Sequence, residues 1–195
     1  MKTVRILLIC AMATAGLTVR ASARQAGQGT AGGPPSKPGF TLATTAFDDG
    51  GVIPAKYTHA VQNPVSPAME WSNVPEGTVS FALIVHDLDV AIQKGPEDAT
   101  HWLAFNIPGT LRGLPEGVPS SPQLPDGTVQ LKIIRGWVGF FGPGAPPGPY
   151  HHYTFEIYAL DTKLDLGPDA TRADLLKAID GHILAKAVMV GRFHR

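Results

Sequence analysis

Ser80-Phe81-Ala82-Leu83-Ile84-Val85-His86 is the stretch on which the fold turns. A strand with one wet face alternates apolar and polar residues, whereas this run is apolar at nearly every position, which predicts a central strand covered on both sides. Working outward, His101 to Ile107 and Tyr153 to Leu160 read as two further strands. Between the apolar runs lie proline- and glycine-rich segments at spacings typical of an all-β sandwich, and Gly 22 with Pro 18 in a chain of 195 residues imply many turns and few long helices. Pro115, Pro119, Pro122 and Pro125 make Gly113 to Gly127 a long irregular loop. Toward the C-terminus, Thr171-Arg172-Ala173-Asp174 has the form of a capping box, and Leu175, Leu176 and Ile179 then recur on one helical face before Gly181. His182 to Phe193 either extends that helix or forms a last strand, and Val188-Met189-Val190 favours the strand. The class is therefore mainly β, a sandwich with a short C-terminal helix. Trp71 and Trp102 are expected in the core and Trp137, between Gly136 and Gly139, at the surface.

The start of the chain has a different character. Residues 1–23 read as a secretory signal: Lys2 and Arg5 form a basic start, Ile6 to Gly16 an apolar core, and Ala21-Ser22-Ala23 a small-residue cleavage site. The apolar core is too short to span a bilayer, which needs roughly 20 residues, so no transmembrane anchor is expected after cleavage. Export follows, to the periplasm or outside the cell. Cys10 lies within this signal, preceded by Ile9 where a lipoprotein site wants a small residue, and the mature chain would then carry no thiol, excluding disulfides and cysteine chemistry. Residues 24–39, rich in Gln, Gly, Pro, Ser and Thr, read as a flexible linker, and the domain spans 40–195. Loss of Lys2, Arg5 and Arg20 with the signal leaves 13 basic against 16 acidic residues, a net charge of −3, with no basic patch to track a nucleic-acid backbone.

Polar residues at the strand ends carry the functional signal. Asp87-Leu88-Asp89 closes the buried run, and a buried acid needs a partner because an unpaired one costs several kcal/mol. Asp89 reads as a turn residue bonding local backbone, whereas Asp87 is flush with the strand and can face inward. His101 opens another strand and, alone, is as well read as a structural donor. His151 and His152 alternate to opposite faces of an extended segment, so His151 shares its face with Tyr153. Just before them, four prolines in 143–149 fix φ and carry no N–H, so the Gly142-Pro143 lip works as a shaped wall rather than as a phosphate-cradling nest. Alternation thus proposes Asp87, His101, His151 and Tyr153 as one set.

These residues also carry a resemblance. Ser66-Pro67-Ala68-Met69-Glu70-Trp71, Asp87-Leu88-Asp89, Thr100-His101-Trp102 with Asn106-Ile107-Pro108, Gly142-Pro143 with Pro146-Pro147, His151-His152-Tyr153 and Tyr158-Ala159-Leu160-Asp161 occur in an order that resembles the phosphatidylethanolamine-binding protein family, in its bacterial Raf-kinase-inhibitor-like branch. The resemblance spans Phe40 to the C-terminus. It implies an antiparallel β-sandwich with a small anion-binding cavity at one end, and its cavity residues fall on Asp87, His101, Gly142, Pro143, His151 and Tyr153. Where the family usually has Asp-Pro-Asp-x-Pro, this chain has Asp87-Leu88-Asp89-Val90-Ala91, and losing both prolines should loosen that corner and alter ligand selectivity.

A carboxylate in an anion pocket is a physical tension, since two like charges about 4 Å apart repel by roughly 4 kcal/mol at an effective dielectric of 20. It resolves if Asp87 pairs with a histidine and favours its imidazolium, which becomes the anion's donor beside a neutral Tyr153 O–H. The expected function is non-catalytic binding of a small anion or a phosphorylated or zwitterionic head group, without cofactor or metal. Two alternatives stand beside it: an inhibitor of a protein target, acting through exposed loops, and a metal-assisted hydrolase built on Asp87, His101 and His151. No Gly-x-Ser-x-Gly elbow, His-Glu-x-x-His pair or glycine-rich nucleotide loop occurs in the sequence.

Overall fold

The structure, a computed structural model, describes residues 39–91 and 95–195. The expected signal and all but the last residue of the linker lie outside them. In chain order the described elements are β1 (Thr41–Ala43), β2 (Gly51–Val52), β3 (Met69–Ser72), β4 (Ser80–Asp87), β5 (Ala99–Pro108), β6 (Gly113–Leu114), β7 (Val129–Gln130), β8 (His151–Leu160), α1 (Arg172–Ile179) and β9 (Ile183–Phe193). Two sheets result, one in the order β1-β3-β6 and a larger one in the order β2-β9-β8-β4-β5-β7. Every pairing is antiparallel, as expected of this sandwich, except that of the two-residue β2 on β9, which is parallel. A strand of only two residues reaches that edge from an irregular segment, so no hairpin dictates its direction.

Burial of all eight residues of β4 follows from its place between β5 and β8 and from cover on both faces. On one face Phe81, Leu83 and Val85 pack with Trp71, Trp102, Phe155 and Met189 in the core between the sheets. On the other, Ala82 and Ile84 pack with Leu103, Phe105, Leu160 and the helix residues Leu175 and Ile179. This alternate burial is why the run lacks polar positions.

The helix starts where the capping box places it: the Thr171 side chain accepts the Asp174 N–H while the Asp174 carboxylate accepts the Thr171 N–H. It stops at Asp180 and Gly181, the latter at φ +79, and the chain returns as the 11-residue strand β9. Trp71 and Trp102 are buried and Trp137 is 47% exposed. Gly113 to Gly127 contains β6 and a single bridge from Gln123 to Val129, and is otherwise irregular. No helix among the described residues is long and apolar enough to cross a membrane.

Candidate anion site

Cross-strand register assembles most of the site. Asp87 on β4 pairs with Tyr153 on β8, so the two side chains share a face, and His151 lies two residues from Tyr153 on that same face. His101 arrives by a different device. The register of β4 with β5 runs Val85 to Trp102 and then His86 to Thr100, which makes His101 the extra residue of a β-bulge. Strict alternation would send His101 to the face opposite Trp102. The bulge instead turns it toward Tyr153, with ring centroids 5.1 Å apart and edge to face. The His151 ring also lies against Tyr153, stacked at 6.5 Å.

Both oxygens of buried Asp87 are engaged, Oδ2 with His151 Nδ1 at 2.8 Å and Oδ1 with the Asp89 N–H at 3.0 Å. This pairing places the proton of His151 on Nδ1 and leaves Nε2 as the outward nitrogen. That nitrogen donates to an anion when the ring is an imidazolium. His101 is tied in the same sense, Nδ1–H donating to the Phe141 carbonyl at 2.6 Å. Burial pushes the His101 pKa down, more strongly than the Phe141 carbonyl and Asp87 raise it, so its neutral Nε2 is an acceptor. Tyr153 is fully buried. Its hydroxyl pKa is pushed above the ordinary range by burial and by the neighbouring Asp87 carboxylate, and its oxygen accepts the Ala145 N–H at 3.2 Å. Tyr153 therefore fastens the lip through the Ala145 N–H while its ring lies against both imidazoles.

The lip is a wall held from several sides. Gly142 is buried, and a Cβ there would sit 2.9 Å from Pro64 Cβ, Pro64 Cγ and the Tyr57 carbonyl oxygen, a space only glycine fits. The carbonyl of buried Pro143 accepts the His59 N–H at 2.7 Å, and the Phe141 N–H donates to the His101 carbonyl at 2.8 Å. The corner without its prolines is closed by other means: Asp89 Oδ2 accepts the His152 N–H at 2.6 Å and contacts His152 Nδ1 at 3.0 Å. Asp89 thus bonds a chain-distant strand, and the local turn contact falls to Asp87.

Two histidines near the site escape a reading by alternation. The His59 ring lies 4.3 Å from Phe141 with a buried Nε2 that has no protein partner, and burial together with Arg195 and Arg135 lowers its pKa. His194 follows Phe193, the register partner of His151; its ring lies 4.2 Å from Tyr150 and its Nδ1 is buried without a partner. Their only signal was residue type, because His59 lies in an irregular segment and His194 beyond the last strand. Among the described residues no three His, Cys, Asp or Glu side chains are grouped to hold a metal ion.

With fold and site described, comparison with known proteins is direct. A profile of the phosphatidylethanolamine-binding protein family matches residues 43–194. A UPF0098 protein of Methanothermobacter thermautotrophicus is 44% identical over 156 residues, covering 80% of this chain and 99% of the relative. UPF0098 protein YbhB of Escherichia coli is 34% identical over 131 residues, covering 66% and 81%. Among solved structures, a phosphatidylethanolamine-binding protein homologue of Chlamydia trachomatis superposes with a TM-score of 0.70 at 34% identity, covering 80% of this chain and 98% of its own. Escherichia coli YbcL, a member of the mammalian phosphatidylethanolamine-binding protein family, superposes with a TM-score of 0.71 at 28% identity, covering 81% and 99%. The two-sheet architecture, the ordered motifs and these matches agree: the chain belongs to the phosphatidylethanolamine-binding protein family.

Proposed function

We propose that the chain binds a small anion or a phosphorylated or zwitterionic head group, without catalysis, where His151 and His101 flank Tyr153. The observation that carries this reading is the 2.8 Å contact between Asp87 Oδ2 and His151 Nδ1. A carboxylate fixed on the inner nitrogen sets the ring's orientation and leaves the outer nitrogen for a ligand, so the acid supports anion binding instead of opposing it. His101 adds an acceptor for a phosphate O–H or a head-group ammonium. Export to the periplasm or beyond belongs to the same proposal and rests on residues 1–23.

The test is calorimetric titration with inorganic phosphate and phosphoethanolamine. Binding that requires the imidazolium strengthens as pH falls from 8 to 6, by up to roughly ten-fold per pH unit for one linked proton. His151→Ala abolishes it without unfolding the domain. Affinity that is flat or rises with pH over this range would sink the imidazolium mechanism. A second reading, action on a protein target, draws on an apolar hollow of about 330 Å³ lined by Leu111, Leu114, Pro115, Val118, Leu124 and Pro125. Inhibition that survives His151→Ala but fails when this loop is altered would favour it.

A further inference from the structure

His86 alternates with Asp87 on β4, so it points away from the anion site, to the face of the large sheet that α1 covers. Its ring is buried and has a carboxylate at each nitrogen: Asp98 Oδ2 lies 2.6 Å from Nδ1 and Glu156 Oε1 lies 3.6 Å from Nε2. A neutral imidazole carries one N–H, so one of these carboxylates then faces a bare lone pair in a buried place. Only the imidazolium offers a proton to both. The 2.6 Å contact keeps one proton on Nδ1, which makes Nε2, buried and without a hydrogen-bond partner among the described residues, the nitrogen that gains or loses the other.

With the ring protonated, positive and negative groups alternate from the helix across the sheet: Arg172 at the start of α1, Asp98 just before β5, His86 on β4, Glu156 on β8 and Lys186 on β9. Tyr158 Oη donates to Glu156, and the cross-strand neighbours of His86, Thr100 and Thr154, are uncharged. The like charge that opposes protonation is Arg172, whose Nη2 lies 3.3 Å from Nδ1. Burial lowers the His86 pKa, but Glu156 and Asp98 outweigh both burial and Arg172 and hold it above its ordinary value. Which part yields when the proton leaves is set by topology. Strand β4 is bonded along its length to β5 and β8, whereas α1 has eight residues and its first is tied down through Asp98. We propose that protonated His86 is a pH-sensitive latch on α1: with the ring neutral, the start of the helix and the segment 95–98 lift from the sheet and let water reach Nε2 and Glu156. Leu175 and Ile179 then uncover the apolar face formed by Ala82, Ile84, Leu103 and Phe105.

A histidine with a raised folded pKa contributes fully below its unfolded value of 6.5, and that contribution is lost as pH rises through the folded one. Amide hydrogen exchange on the full chain, corrected for intrinsic rates, reads the latch. Between pH 6.5 and about 9 the protection of Leu175 to Ile179 should fall, by up to roughly ten-fold per pH unit for one linked proton, and fall further than that of Ala82 to Val85. In His86→Gln, whose amide donates without charge, the protection of α1 should be the same at both pH values. Nitrogen-15 NMR of the wild-type ring should show His86 protonated on both nitrogens at pH 6.5 and losing the Nε2 proton above it. Protection of α1 that does not change with pH, a fall shared equally by β4, or a fall that persists in His86→Gln would each overturn the latch. A ring already neutral at pH 6.5 would overturn it as well, whether or not the variant folds.

Discussion

Replacement of Glu156 by Gln tests the charged cluster on the helix-facing side of β4. His86 on β4 lies with Nδ1 2.6 Å from Asp98 Oδ2 and Nε2 3.6 Å from Glu156 Oε1; Arg172, the first residue of α1, pairs with Asp98. Glu156 also accepts from Lys186 Nζ at 2.8 Å and Tyr158 Oη at 2.6 Å. Burial alone would raise its pKa, but His86, Lys186 and Tyr158 outweigh that and hold it at about 2 against an ordinary 4.5. At 1.36 kcal/mol per pH unit this gap is worth about 3 kcal/mol. A carboxyl with a depressed folded pKa stabilises above its unfolded value and loses that contribution as pH falls through the folded one. The window is therefore pH 4.5 down to about 2. Urea unfolding across that range should show Glu156→Gln about 3 kcal/mol less stable than wild type at pH 7. The two stabilities should then converge toward pH 2, where the native carboxyl is half protonated and most of its contribution is lost. Parallel stability curves, with the same difference at pH 7 and pH 2, would refute the reasoning.

Gly142→Ala forces a Cβ to within 2.9 Å of Pro64 and the Tyr57 carbonyl. It should cost about 1–3 kcal/mol by overpacking and weaken phosphate binding along with the thermal midpoint, because lip and site share those contacts. Thr171→Ala removes the capping box at α1 and should cost about 1 kcal/mol, or roughly 2–4 °C in Tm. Phosphate affinity measured by calorimetry should not change, because α1 packs against the face of the large sheet opposite the inter-sheet core.

Much of the fold is legible in the chain because its signals are local. The uniform apolarity of Ser80 to His86 implies two covered faces wherever the strand goes, and Thr171 with Asp174 needs only each other to start a helix. Proline spacing after Gly142 likewise predicts a stiff wall from backbone chemistry alone. Parts of the site are legible for the same reason: His151 and Tyr153 share a face by alternation within one strand, and Asp87 ends a run whose burial is already evident.

What only the tertiary structure decided is register between distant segments and its local defects. His101 reaches Tyr153 because a bulge on β5 interrupts alternation, and whether a strand bulges depends on its pairing with β4, which no neighbour in sequence announces. The same holds for Asp89, whose partner is His152 and not its own turn, and for His59, brought against the lip from an irregular segment. The cluster of His86, Asp98, Glu156 and Arg172 draws its members from three strands or their flanks and a helix. Periodicity reports which face a residue seeks, while long-range pairing determines which other residues are waiting there.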